Sequence, residues 1–533
     1  MQLRNDEKHI NRVLWLLLVL SAVIRGFLAA YMEFSNDEVY YWTYALYPDW
    51  SHFDHPPMVG WVIQLFSLNL LIDSEFFIRL ASIVLMTGCT AVMFRIGKEI
   101  KDAQTGLYAA LLYTASVYSF VITGVFIMPD TPLMLFWLLA FWQFVRFFKS
   151  ENPRNASLLW AGLFSGLSML SKYTGVFLWV GVALYVLIFS RKHLKNPFLY
   201  LAVLISALCC LPILIWNAQN AFVSFGFHGD RVGLSGGLQT GSFFTELAGE
   251  FFYNNPVNFV LALIALTAVA RKKNILIRSA QRLMLCTALP MILLFLLFAL
   301  TKPILPHWNA PAYCMLILLS ASWLSERNPV VHQKISIPPF VVGALSVLLL
   351  TLFVGVAEIK TGFIPLDRHE EKDLRLGSDD FTLDMYGWRQ LGAKFARFRE
   401  EALAQGVMKR EDGIVGNQWF PLANIDYYVA RPLHLKVLGY GYLGHLHKYL
   451  WTNGKKGGFV KGADYWFIAD SRYFSDPNEA YQWQNFQQIE QVGTIDIERQ
   501  GRVVKHFYVY ACKGMCYGPI SLEQVIDRKE NKP

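Results

Sequence analysis

Charge is scarce in this chain: Asp, Glu, Lys and Arg make up 17% of its 533 residues, while 54% are hydrophobic. An ordinary soluble protein carries nearer a quarter of charged residues, so that class is excluded, and the length suffices for a membrane bundle plus one further domain. Signatures of nucleotide binding are missing as well. The sequence contains no Walker-type loop, no dinucleotide-binding turn, no internal repeat and no low-complexity tract. Cysteine is sparse, and five of the seven, at positions 89, 209, 210, 286 and 314, fall in apolar runs as small core residues. Cys512 and Cys516 either form a disulfide in an oxidising compartment or stay reduced, and no complementary ligand pair makes a zinc site of them.

What the chain does have is a succession of apolar runs bounded by charge clusters, each of the length a bilayer core about 30 Å thick demands of a helix. Eleven spans are expected, at 13–32, 76–96, 104–123, 131–147, 157–171, 173–190, 198–216, 256–270, 283–300, 308–323 and 337–356. Arg4, Lys8 and Arg12 precede the first, which is too long and too poor in cleavage-site residues for a secretory signal, so it reads as an uncleaved helix. Basic residues sort by connection. With the N-terminus inside, nineteen Lys and Arg fall on inner segments and only Arg79, Lys172, Arg231 and Lys302 fall outside. The net charge of +8 is therefore topological; it forms no single basic face for nucleic acid.

This reading gives a polytopic α-helical membrane domain over 1–356, with an extracytoplasmic first loop at 33–75, and an extracytoplasmic α/β domain over 357–533. In the tail, Gly387 to Gln405 has the pattern of an amphipathic helix. Strands are expected at 413–416, 433–438, 464–469, 492–498 and 503–510, with a helix near 421–430 and a hairpin turn at Gln500-Gly501.

Polar residues at the outer ends of the spans are the candidates for chemistry. Asp37, in Ser35-Asn36-Asp37-Glu38-Val39-Tyr40, is a candidate base for a group transfer to a hydroxyl, with Glu38 and Tyr40 beside it as substrate contacts. A helix-capping acid and interfacial aromatic anchors are the alternatives. His52, Asp54 and His55, ahead of Pro56-Pro57, are candidate contacts to a sugar or phosphate and candidate ligands of a divalent metal, or else a polar loop locked by the prolines. Asp130 opens the fourth span, where an N-cap role competes with a catalytic one. Lys172 interrupts a long apolar stretch, at a cost of about 2.5–3.5 kcal/mol were it at the bilayer centre, so it is expected to face a polar cavity. Lys302 and His307 occupy another outer turn, and Arg231 sits in the glycine-rich segment 225–241; all three are candidate anion contacts. Arg25, inside the first span, is expected to pair with a carboxylate of another helix.

In order and common side, these motifs resemble the GT-C class of integral-membrane glycosyltransferases, in particular the bacterial branch of the lipid A aminoarabinose transferase and the protein O-mannosyltransferase-like enzymes. The similarity runs from residue 13 to about 325: Asp37-Glu38 in the first outer loop, Pro56-Pro57, Asp130, Lys172 between two close spans, and the Lys302-Pro303 to Pro306 turn. It implies a GT-C-like bundle that transfers a sugar, with inversion, from a polyprenyl-phosphate donor to an envelope acceptor (lipid A, glycan, lipid or protein) on the outer face of the bacterial inner membrane. By the same resemblance Asp37 is the base, Asp130 the second acid of the site and Lys172 a ligand of the donor phosphate. Where the aminoarabinose branch has a lysine before its prolines, this chain has His52-Phe53-Asp54-His55. No cofactor is implied, and dependence on a divalent metal stays open. The rival readings are a transporter or flippase of a lipid-linked anion, which calls for repeats or broken midplane helices, and a surface-polysaccharide ligase or polymerase, which does not need the Asp-Glu motif.

Overall fold

The structure is a computed structural model that describes the chain apart from residues 1, 5–6, 233–236, 272–273, 331–333, 478–484 and 517–533. Lys272, Lys273 and part of the glycine-rich 225–241 segment thus lie outside the described residues. All eleven expected spans are helical, but the membrane-crossing count of eleven does not follow from them. Among the described residues five helices are long and apolar enough to cross a bilayer: Glu7–Tyr31, Glu75–Ile100, Asp130–Phe148, Arg278–Ala299 and Pro339–Thr361. Two bent pairs, Pro197–Cys209 with Leu211–Gln219 at 42° and Thr240–Tyr253 with Pro256–Ala270 at 101°, raise that to as many as seven. The remaining stretches make helices such as Ala103–Ala115 and Asn155–Ser171, shorter than the roughly 20 residues a straight crossing takes. The protein is nonetheless a multi-pass membrane protein.

The chain divides into two compact units, Met1–Tyr31 with Tyr44–Thr351, and Met32–Thr43 with Leu352–Pro533. The first is helical, with a two-stranded antiparallel ribbon of β1 (Gln2–Arg4) and β2 (Lys334–Ser336). Glycines set its closest crossings, as expected where lipid cannot drive helices together and backbone approach must. A Cβ on Gly97 would lie 2.7 Å from the Gly106 Cα, and one on Gly162 would lie 2.4 Å from the Ala202 carbonyl oxygen. Arg25 departs from expectation. Among the described residues it meets no carboxylate; its Nη2 reaches the Ser119 carbonyl at 3.3 Å and its guanidinium lies 4.6 Å from the centre of the Phe120 ring. The ring face supplies the negative partner there.

Glu246 and Glu250 lie one turn apart on Thr240–Tyr253, on one face of the helix, and both are buried. The Asn309 amide donates to both, at 3.4 Å to Glu246 and closer to Glu250, and the Tyr313 hydroxyl donates to Glu250 at 2.6 Å. These bonds tie the 306–313 turn to the helix. Glu250→Ala leaves the Tyr313 hydroxyl buried without its acceptor and Asn309 with only the longer bond to Glu246, so a loss of about 1–3 kcal/mol is expected, whereas Glu250→Gln keeps a carbonyl oxygen for Tyr313 and loses less. Thermal unfolding of the full chain in detergent checks this, and an alanine variant that unfolds at the parent temperature contradicts it.

The second unit holds a five-stranded sheet of order β4-β3-β5-β7-β6, made of β3 (Gly413–Gly416), β4 (Val437–Gly439), β5 (Tyr465–Asp470), β6 (Phe486–Arg499) and β7 (Arg502–Met515). The first three are parallel; β7 runs antiparallel to β5 and to β6. Gln500 and Gly501 join β6 to β7 with φ of 53° and 74°, the paired positive angles of a tight hairpin. The amphipathic helix Trp388–Ala404 lays Phe395 and Phe398 on Trp466, with ring centres 5.7 and 6.2 Å apart, and Trp388 on Phe507 at 5.4 Å. Val415, Phe467, Tyr508 and Tyr510 belong to a second apolar cluster. Cys512 and Cys516 are free thiols.

Candidate active site

Asp130 begins the helix Asp130–Phe148 after Pro129, but its side chain caps nothing. It turns instead to Lys172, whose Nζ lies 2.9 Å from one carboxylate oxygen and 2.7 Å from the other. The lysine is delivered by a break in the chain. Asn155–Ser171 ends at Lys172 in extended conformation, and a tight 3-10 turn follows at Tyr173–Val176. The turn is so close that a Cβ on Gly175 would lie 2.7 Å from the backbone of Ser168 and Met169. Both charged side chains are almost wholly buried, at 5% and 1% exposed. A buried pair of this kind is held by further hydrogen bonds or not at all. The Tyr118 hydroxyl provides one, donating to Asp130 at 2.9 Å. Tyr118 opens a π-helical turn, Tyr118–Ile122, whose wider i to i+5 closure (Thr123 N to Tyr118 O, 2.9 Å) interrupts regular α-helical geometry at this point.

Three further segments of the same unit bear on the pair. In the 52–57 loop, His52 N bonds the His55 carbonyl at 3.1 Å, and the Asp54 side chain accepts from the Tyr44 hydroxyl. The His52 ring packs against Tyr44 with centres 3.7 Å apart. Helix Val223–Val232 clasps the loop from outside: Ser224 donates to the His52 carbonyl at 3.1 Å and His228 Nε2 meets the Asp54 carbonyl at 2.8 Å. From the third segment, His307 feels both Asp130 and Lys172. Burial pushes His55 down to about 3 and His307 down to about 4; for each, Lys172 adds to the push and Asp130 opposes it. Both imidazoles are therefore neutral at pH 7.

Arg231 lies between two aromatic faces, 5.2 Å from the Phe227 centre and 5.0 Å from that of Trp308, while Lys302 donates to the Asp230 carbonyl. The two cations thus flank the turn that carries His307. His52, Asp54 and His55 do not converge as a metal-ligand set. Among the described residues the one group of three such side chains with ligand atoms within 4.8 Å of one another is Asp367, His369 and Asp379, in the second unit.

Asp37, Glu38 and Tyr40 belong to the second unit. Helix Asn36–Leu46 opens with one Glu38 carboxylate oxygen accepting from both the Ser35 backbone and its hydroxyl, each at 3.0 Å. Glu38 is fully buried and Asp37 is half-buried. Tyr40 is buried against Trp419 and His447, with ring centres 5.0 and 5.9 Å away. Sequence reasoning missed Tyr118, Tyr44 and His228 as site residues. Tyr118 and Tyr44 sit in apolar, aromatic runs that conceal them, whereas the polar cluster His228-Gly229-Asp230-Arg231 was a visible signal.

A sequence profile of the family described as dolichyl-phosphate-mannose-protein mannosyltransferase matches residues 54–216, a segment that includes Asp54, His55, Asp130 and Lys172. The lipid A galacturonosyltransferase RgtD of Rhizobium johnstonii is 24% identical over 298 residues, which are 55% of this chain and 60% of that protein's length. Two crystal structures of ArnT from Cupriavidus metallidurans share the fold. The one bound to undecaprenyl phosphate superposes with a TM-score of 0.62 at 14% identity, covering 93% of this chain and 97% of the other. The apo structure gives 0.61 with the same identity and coverage. The chain resembles the GT-C membrane glycosyltransferases and has the ArnT fold.

Proposed function

We propose that this protein is a membrane glycosyltransferase that moves a sugar from a polyprenyl-phosphate donor to an envelope acceptor on the outer face of the bacterial inner membrane. The buried Lys172–Asp130 pair carries the reading. A lysine so deep in a membrane domain is costly unless it has work there, and this one lies within the segment that matches the mannosyltransferase profile. The relative named as a lipid A galacturonosyltransferase, and the ArnT structure named as bound to undecaprenyl phosphate, support the same donor class and an acceptor of the lipid A kind.

In the proposed reaction the acceptor hydroxyl oxygen attacks the anomeric carbon, and its proton passes to the Asp37 carboxylate. The bond from that carbon to the phosphate oxygen breaks, its electron pair stays on the phosphate, and the configuration inverts. Charge accumulates on the leaving phosphate, where Lys172 is best placed to act: a fixed cation in a partly dry site stabilises developing charge without reorganising. Asp130 and Tyr118 hold the ammonium in position. His55 and His307, being neutral, donate hydrogen bonds without adding charge, and Arg231 and Lys302 raise the local positive potential.

Mass spectrometry of envelope lipids and glycans from cells with and without the gene tests the reading. One component is expected to lose the mass of a single sugar when the gene is deleted and to regain it on complementation. An unchanged envelope, with intact lipid-linked sugar now confined to one leaflet, would point to transport instead.

A further inference from the structure

The helices Pro256–Ala270 and Ala310–Arg327 come together near their starts, where the Phe259 and Tyr313 rings stack with centres 6.1 Å apart. Toward their far ends they border a cavity of about 290 Å³. Val260, Leu263, Ile264, Thr267 and Ala268 line it from the first helix at the spacing of one helical face, and Arg271 completes the row just past the helix end. The second helix contributes Trp323 and Arg327, one turn apart. Val260 and Leu263 are 43% and 52% exposed, so in a membrane domain the row is open to lipid.

This place is remote from the Lys172–Asp130 pair. Asp130 opens a helix of 19 residues, about 28 Å long, and Lys149, just past its other end, pairs with Glu99. Two residues beyond Glu99, Lys101 donates to the Ser322 carbonyl at 2.8 Å, next to Trp323. The cavity thus lies at the opposite end of the bundle, where the inner-segment lysines and arginines gather.

Length and charge together define the occupant. From Val260 to Arg271 the row rises about 16 Å, half of a hydrocarbon core about 30 Å thick, so an acyl chain laid along it reaches the midplane while its headgroup stays level with the arginine. Arg271 and Arg327 border one space, and among the described residues neither forms an ion pair. The negative ends of their two helices, each worth about half a charge, leave about one positive unit unmatched there. The Arg327 guanidinium, 5.4 Å from the centre of the Trp323 ring, is held by that ring face.

We propose that this groove binds one anionic phospholipid of the leaflet at the basic end, with its single phosphodiester charge between Arg271 and Arg327 and one acyl chain along Val260, Leu263 and Ile264. Basic pockets between membrane helices on the cytoplasmic side are suited to such headgroups. Lipid retention can be measured whether or not the protein transfers sugar, so this site stands or falls apart from the reaction proposed above.

Native mass spectrometry of the full chain released from non-ionic detergent, with dioleoyl phosphatidylglycerol or dioleoyl phosphatidylcholine added at equal concentration, provides the test. The parent is expected to retain one phosphatidylglycerol about twentyfold better than phosphatidylcholine, and Arg271→Gln and Arg327→Gln each to lose about fivefold of that preference, as one basic residue near a membrane surface contributes. A variant with lysine at both positions keeps the charges and is expected to keep most of the preference. Arg282→Gln is the control: this arginine, over the Phe189 ring, borders a different apolar cavity, and its loss is expected to change nothing. Equal retention of the two lipids by the parent, or undiminished preference in both glutamine variants, overturns the proposal. An equal loss in Arg282→Gln also overturns it, since the attraction would then be diffuse. Displacement of the lipid by glycerol 1-phosphate alone overturns the commitment to a lipid and leaves a site for soluble phosphate.

Discussion

Lys172→Met is expected to cost about 3–5 kcal/mol of stability, because it strands the Asp130 carboxylate in a buried site, and to reduce sugar transfer by at least a hundredfold. The two effects separate in the double variant. Lys172→Met with Asp130→Asn removes both charges, leaves the Tyr118 hydroxyl an amide oxygen to donate to, and is expected to recover most of the lost stability. It recovers none of the activity, since the leaving phosphate still lacks its cation. Thermal unfolding and turnover, measured on the two single variants and the double, complete the cycle. Activity that returns with stability would reduce the pair to a structural role and remove Lys172 from the chemistry.

Asp37→Asn is the second large effect, with the opposite profile. Loss of a positioned base costs on the order of 10²–10⁴ in rate, so transfer is expected to fall to near background. Any stability loss is expected to be smaller than that of a Glu38 variant, because Glu38 is the carboxylate that holds the Ser35 backbone and hydroxyl at the start of the Asn36–Leu46 helix. Glu38→Gln serves as the contrast: it disturbs the cap and is expected to lower stability with a smaller effect on turnover. An Asp37→Asn protein that turns over at the parental rate would exclude this carboxylate as the base.

The sequence made the helical runs and the strands of the tail legible because both rest on local periodicity. The Trp388–Ala404 helix, the Gln500-Gly501 turn and β3 fall where the pattern puts them. Lys172 was legible for a different reason: a cation in an apolar run is conspicuous by its cost. Its partner was not. Asp130 before Thr131-Pro132 has every local mark of a helix cap, and nothing local reveals that a lysine 42 residues on will claim both of its oxygens. Likewise Asp37 and Glu38 are adjacent acids that sequence cannot rank, and a hydrogen bond to the Ser35 backbone divides their roles. Arg25 failed as an inference because the expectation admitted only carboxylate partners, whereas a carbonyl and the Phe120 ring receive the guanidinium. The number of crossings does not follow from apolar runs alone: hydropathy counts the runs, and it does not register bends such as those of 42° and 101° between successive helices.

Reconstitution of the purified full chain into liposomes that contain a polyprenyl-phosphate-linked sugar and extracted envelope acceptor lipids, with both lipids followed by mass spectrometry, distinguishes sugar transfer from transport in a single measurement. Free polyprenyl phosphate is expected to appear in step with an acceptor heavier by one sugar, and neither is expected to form with the Lys172→Met, Asp130→Asn protein. Donor that crosses the bilayer with its sugar still attached, while the acceptor mass stays constant, would contradict sugar transfer.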